Sequence, residues 1–348
     1  MKEGTADLAR TRFSVLDTAP VWAGTTATDA LRNTMDLAPR VDRLGYHRYW
    51  ISEHHNSHRL ATSSPAVLIG HVAMATSSLR VGSGGVLLTN HAPLLIAEQF
   101  GTLEALHPGR IDLGLGRSAG TDVVTTTLLR GSPPDGDDFG PKLDELTSYF
   151  AGDSFADLDN PVMAVPAHDN RPPIWLLGSS PSSAVTAGRL GLPYAYGHQL
   201  RPSESVAALR AYRENFRPSA HLDRPYSIVA AFVIAGESDE HAQWLARPVQ
   251  LGFLHVHQSG RTTVYPSAAE ADEHTWTNED DDLVRQLFAP QVIGGPDTVR
   301  RSVEELLSTT GADELMAVTM VPDPADRLRS YELLAEVVGL VSPATAAP

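Results

Sequence analysis

The chain has 348 residues, 42% of them hydrophobic and 20% charged, the balance of an ordinary globular protein rather than a disordered or membrane class. An excess of 42 acidic over 27 basic side chains, formally -15, argues against an extended surface that tracks phosphates, so nucleic acid is not an expected partner. Cysteine is absent, which removes disulfides, thiolate metal sites and cysteine nucleophiles. The start MKEGTADLARTRF lacks the apolar stretch of a signal peptide, and no run is long enough to span a membrane. A cytoplasmic protein is expected.

From the N-terminus, Phe13 to Leu16 reads as a short strand. A helix follows, capped by Thr28 or Asp29 and ended by Gly45, with Leu31, Met35, Ala38, Val41 and Leu44 on one stripe. His47 to Ser52 is the next strand and leads into Glu53-His54-His55-Asn56-Ser57-His58. A helix over about Pro65 to Thr76 precedes the stretch from Arg80 to Arg117, which reads as strand, helix, strand. In its second strand Ile111, Leu113 and Leu115 share one face, whereas Asp112, Gly114 and Gly116 share the other. That nearly bare face either leaves room for something flat beside Arg117 or only relieves crowding.

Beyond Arg117 a Gly-, Pro- and Asp-rich stretch reads as a long loop, the kind that in compact domains covers or binds. Helix resumes from Leu143 to Phe150. Pro173 to Leu177 is a buried strand, Gly178 to Ser183 introduces a helix to Leu190, and Pro193 to Tyr196 is another strand. The alternation continues with helix Ser203 to Phe216, strand Tyr226 to Ala235 and a helix from about Asp239 to His255. Ser259 to Asp282 is acidic and aperiodic; helix from Pro296 to Thr310, strand Glu314 to Met320 and helix Arg327 to Val338 complete the order. About eight strands, nearly all followed by a helix, call for an all-parallel sheet, either a closed eight-fold barrel or a doubly wound open sheet.

Several residues fall where strands meet the following loops, the place barrel enzymes use for chemistry. His54 or His55 could move a proton, with Glu53 to orient an imidazole; a hydrogen-bonded histidine cluster is the bland alternative. A metal is not expected, because the HExxH order that puts two histidines on one helix face is absent. Gly114-Leu-Gly116-Arg-Ser-Ala119 formally fits a dinucleotide fingerprint, but the continuation lacks the helix and the acidic strand end that the fingerprint requires. Ser179, Ser180 and Ser183, between a strand and a helix, suit either an anion or simple capping. Gly82-Ser83-Gly84-Gly85 implies a closely approached backbone.

RYWISEHHN, LRVGSGGVLLTNHAPLLIAEQFGTLEALHPGRIDLGLGR, PPIWLLGSSPSSAVTAGRLGLPYA and the closing DELM and RLRSYELLAE resemble the bacterial luciferase-like flavin monooxygenases. The likeness runs from Phe13 to Gly339 and is closest to the luciferase family oxidoreductase branch, some of whose members tailor polyketides. It implies a (β/α)8 TIM barrel with insertions after strands 4 and 7. The expected organisation is one domain over 1–348, with the barrel at 12–340, mobile insertions at 118–141 and 256–282, and a flexible tail at 341–348. The resemblance further implies reduced FMN (FMNH2) activating O2 as a flavin C4a-hydroperoxide to oxygenate a small organic substrate such as a secondary metabolite, as in antibiotic biosynthesis. A separate NAD(P)H-dependent flavin reductase and a homodimer are implied too. By position His54 matches the catalytic histidine, with Glu53 and His55 beside it. Gly84 and Gly85 match a non-prolyl cis peptide against the flavin, Gly116 and Arg117 a flavin-contacting pair, and Ser180 and Ser183 the phosphate contacts; Ser179 stands where the family has glutamate. Family members that transfer hydride with coenzyme F420, and a flavin binder without catalysis, are the alternatives.

Overall fold

The computed structural model describes residues 8–118, 120–132, 138–151, 162–260 and 263–340. Among these, the alternating apolar runs become β1 (Arg12–Asp17), β2 (Arg48–Ile51), β3 (Arg80–Ser83), β4 (Val86–Leu87), β5 (Ile111–Gly116), β6 (Ile174–Gly178), β7 (Tyr194–Gly197), β8 (Ser227–Ala235), β9 (Val292–Gly294) and β10 (Glu314–Val318). Every pairing between them is parallel, and β10 bonds to both β1 and β8, so the sheet closes. β1, β2, β3, β5, β6, β7, β8 and β10 make the eight-stranded barrel. β4 runs beside the end of β5, and β9 runs beside the end of β8. The fold is the expected (β/α)8 barrel; the open sheet is excluded by the closing pair.

Strand alternation divides the core in two. Val15, Tyr49, Ile51, Val81, Ile111, Leu113 and Leu115 face outward into the layer shared with the helices. Leu16, Trp50, Trp175, Phe232, Met316 and Val318 fill the barrel itself. The face of β5 that carries Asp112, Gly114 and Gly116 is therefore the barrel interior, and it is not open. A Cβ at Gly114 would lie 2.0 Å from the Ser83 carbonyl oxygen and 2.9 Å from Leu177 Cδ1. Crowding, and not room for a flat group, explains that glycine.

Two buried ionic clusters tie the barrel together. At its N-terminal end Arg48 bridges Asp112 (2.6 Å) and Glu314 (3.1 Å), while Trp50 Nε1, Tyr226 and Ser14 donate to the same carboxylates. On the helix side Arg327 reaches Asp17 at 2.8 Å, and Thr34 and Tyr49 also donate to it. Burial alone would raise the Asp17 pKa. The Arg327 charge and these donors outweigh it and hold the carboxyl below its ordinary range.

Several local readings are corrected. The first helix is Ala27–Arg43, and its cap is Thr26 in a reciprocal capping box with Asp29, which stands at the third helical position. RVGSGGVLL is two strands divided at a cis Gly84–Gly85 peptide. Within 118–141 a helix, Val123–Arg130, stands where a loop was expected, and the next helix begins at Phe139. Within and beyond 256–282, helix Asp239–Ser259 runs past the expected end at His255, and helices Ala268–Glu273 and Asn278–Phe288 follow. β9 was not foreseen. The tail 341–348 lies outside the described residues.

Candidate active site

The C-terminal ends of β2, β3 with β4, β5 and β6 are neighbours around the barrel. They bring four separate sequence motifs to one rim: Glu53-His54-His55, Gly84-Gly85, Gly116-Arg117 and Ser179 to Ser183.

Glu53 is the hub of the first motif and is only 3% exposed. Its Oε1 accepts from His55 Nε2 (2.7 Å) and from His91 Nε2 (2.6 Å), and its Oε2 accepts from the Leu87 amide at 3.1 Å. Burial opposes its charge, but the bonds from His91, His55 and Leu87 prevail and lower its pKa. Glu53 thus fastens the end of β2 to β4, directly after Gly84-Gly85.

His54 is held differently. Its amide donates to the Thr62 carbonyl at 2.8 Å, and its Nδ1 lies 3.1 Å from Ser52 Oγ, which itself meets Thr62 Oγ1 at 2.8 Å. Burial pushes its pKa down to about 4 against the opposing charge of Glu53. At neutral pH His54 is a neutral imidazole with one nitrogen anchored by Ser52. His58 stands apart from this group. Asn56 donates to Asp122 (3.1 Å) and Thr121 to the His55 carbonyl (3.0 Å), which links the loop after β2 to the segment after β5.

On the far side of the rim, Ser180 caps helix Pro181–Leu190 and accepts from the Ser183 amide. Ser183 Oγ lies 2.8 Å from the hydroxyl of Tyr194, whose pKa burial raises, so that it remains a neutral donor. The Ser179 carbonyl is 3.3 Å from Tyr196 Oη. Leu115 is in register with Leu176, which puts Arg117 at the strand end beside Gly178 and Ser179. A helix N-terminus, several hydroxyls and a guanidinium there suit a phosphate. Gly116 closes the β5 end with Leu87 Cδ2 3.3 Å from where its Cβ would be.

The structure adds His91, which sequence reasoning passed over, and Tyr194. His91 ends the short 3-10 turn after β4, in TNHAP just before helix Pro93–Leu106, so a histidine at a strand end was a visible signal. Glu53, His55 and His91 also place one ligand-type atom each within 4.8 Å of one another. In this arrangement the two imidazoles lie at hydrogen-bond distance from Glu53 Oε1, 2.7 Å for His55 and 2.6 Å for His91.

The fold and this rim define a class. The family described as luciferase-like monooxygenase matches residues 11–314, and the chain belongs to it. A luciferase-like monooxygenase of Escherichia coli K12 is 40% identical over 93% of this chain and 96% of its own length. The N-acetyl-S-alkylcysteine monooxygenase of Bacillus subtilis 168 is 31% identical over 94% of this chain and 98% of its own. Among solved structures, apo-MsnO8 has a TM-score of 0.85 with 37% identity, covering 96% of this chain and 99% of that one. The oxygenating constituent of 3,6-diketocamphane monooxygenase from Pseudomonas putida, solved in complex with FMN, has a TM-score of 0.68 over 94% of this chain and 98% of that one. At 18% identity it shares the fold alone. No helix among the described residues is long and apolar enough to cross a membrane.

Proposed function

We propose that this protein is an FMNH2-dependent, two-component monooxygenase that oxygenates a small organic molecule. The observation that carries the reading is the convergence of the four motifs on the C-terminal rim, anion-binding groups at one end and a buried histidine with its carboxylate neighbour at the other. The rim residues fit the cofactor. Arg117, Ser180 and Ser183, with Ser179 and the first-turn amides of helix Pro181–Leu190, would hold the phosphate. Gly84, Gly85 and Gly116 would lie along the ring. When bound, reduced FMN supplies two electrons to O2, so that one oxygen atom goes to the substrate and the other leaves as water.

The protein's own part is positioning and protons. Glu53 fixes His55, His91 and the Leu87 backbone in one arrangement. His54, neutral and oriented through Ser52, is placed to exchange a proton at its other ring nitrogen. Residues 120–132, tied to the β2 loop through Asn56 and Asp122, would cover the rim and limit water there. Reduced flavin would arrive from an NAD(P)H-dependent reductase, in the cytoplasm, to a homodimer.

Anaerobic titration with reduced FMN, oxidised FMN and reduced F420 tests the reading. Reduced FMN should bind most tightly, and its complex should react with O2 and consume substrate in proportion. Binding of F420 with neither form of FMN would instead make the protein a hydride-transfer enzyme.

A further inference from the structure

The opposite end of the barrel holds a second concavity, of about 630 Å³, lined by Arg12, His47, Arg48, Arg80, Arg171 and Trp175 among others. These residues stand at or just before the N-terminal ends of the strands. The guanidiniums of Arg48 and Arg80 are committed to Asp112 and Glu314. Arg12 and Arg171 are exposed, and neither forms a salt bridge among the described residues, although Glu314 stands across from Arg12 in the sheet and Asp112 lines the same concavity. Arg12 lies 5.9 Å from the centre of the Tyr226 ring, and Arg171 is 2.9 Å from Nε2 of His221. Positive charge therefore collects at this mouth in a chain whose net charge is -15.

Two further groups point the same way. Trp175, 3% exposed, has its Nε1 buried with no hydrogen-bond partner, and so does Nε2 of His47. An indole N–H can only donate. Buried donors left alone are rare and call for an acceptor. A ligand with several oxygens on one compact centre would accept from the indole, and from His47 in the tautomer that carries its proton on Nε2, while meeting the guanidiniums of Arg12 and of Arg171, the latter also bonded to His221; such planar forks suit phosphate. The volume lies in the range of sites for small organic ligands and exceeds what a lone phosphate needs.

We propose that the N-terminal mouth of the barrel binds a small phosphate-bearing polyanion, held by Arg12, Arg171 and the N–H groups of Trp175 and His47, at the end remote from the flavin rim. The site is independent of the oxygenation chemistry and of the contacts that would hold the FMN phosphate.

Calorimetric titration of the full chain with pyrophosphate at low ionic strength tests it. Saturable binding is expected, weakened at least about tenfold in the Arg12→Ala, Arg171→Ala double variant. Arg171→Lys, which keeps the charge, should retain most of the affinity. Trp175→Phe, which keeps ring packing and removes the N–H, should lose severalfold. The whole series is measured in the Arg117→Ala background, which removes the guanidinium of the flavin rim, so that pyrophosphate held there is not counted. Absence of saturable binding in that background, or unchanged affinity in the double variant, would each overturn the assignment. Melting curves are expected to leave the double variant folded, since both arginines are exposed and neither forms a salt bridge among the described residues.

Discussion

Glu53 and His91 meet at 2.6 Å, although 38 positions separate them in the chain. The bond joins the end of β2 to the turn after β4, and the same carboxylate oxygen also takes His55. Glu53→Gln keeps the size but replaces one acceptor oxygen with a donor, so with both histidines carrying their proton on Nε2 at least one of its three bonds is lost. It should cost about 1–3 kcal/mol of stability, more than His91→Ala, which removes one partner only. Urea unfolding of both variants checks this; a larger loss for His91→Ala would remove Glu53 as the hub.

His54 separates a proton-transfer role from a structural one. His54→Gln should leave reduced-FMN binding nearly intact and slow oxygenation by roughly 10²–10⁴, the usual contribution of a positioned acid or base. Single-turnover stopped-flow with O2 and substrate, beside a melting curve, distinguishes the two. Turnover at the parent rate with a lower melting point would leave His54 an anchor for the Ser52–Thr62 contact.

Arg117→Ala should weaken reduced-FMN binding by about tenfold or more, since a charge-assisted phosphate contact contributes roughly 1.5–3 kcal/mol. Riboflavin has no phosphate and should bind both proteins alike. Equal losses for the two ligands would put the guanidinium somewhere other than the phosphate.

Acid should expose the burial of His54. Burial lowers its folded pKa from 6.5 to about 4, so the unfolded chain takes up a proton first as the pH falls. Its contribution to stability is intact above 6.5 and declines as pH drops from there towards about 4. Glu53, whose pKa is lowered, adds a loss in the same direction that begins below its own ordinary value of 4.5. Unfolding free energies at pH 7, 5.5 and 4.5 should fall less steeply in His54→Gln than in the parent; parallel curves would contradict the assignment.

The two β5 glycines should respond differently to an added methyl group. At Gly114 it would meet a backbone carbonyl at 2.0 Å, which cannot move without the strand. Gly114→Ala should therefore destabilise by about 1–3 kcal/mol or more. At Gly116 the neighbour is the Leu87 side chain at 3.3 Å, which can shift, and stability should change little. Denaturation midpoints of the two variants decide it.

The alternation of elements was readable because the barrel strands and most helices carry strong apolar periodicity, as in Leu95 to Leu106 and Ile111 to Leu115. Helix Val123–Arg130 escaped because Val123, Val124 and Leu128 are exposed, so its apolar residues trace no buried stripe. Helix Asn278–Phe288 opens on Glu279, Asp280 and Asp281, an acidic first turn that reads as a loop. Thr277 and Asp280 nevertheless form a capping box that was there to be seen. At the site, the residues that lie next to one another in sequence, Glu53 to His55 and Ser179 to Ser183, were legible together. His91 was not, because its meaning depends on β3 and β4 bringing it back over Glu53. The glycine face of β5 was misread for a related reason: alternation says which residues share a face, but closure of the sheet decides what that face meets.

That closure has a consequence for the making of the protein. Ser14 meets Glu314 across 300 positions, and Arg327 reaches back 310 to Asp17. Loop entropy must be spent before such distant contacts return anything. While the chain is being synthesised, β1 and β8 each lack a neighbour until β10 has left the ribosome, and an unpaired strand edge invites pairing with other chains. The nascent chain is then an open half-pipe with two unpaired margins, and one five-residue strand closes both of them at the end of synthesis.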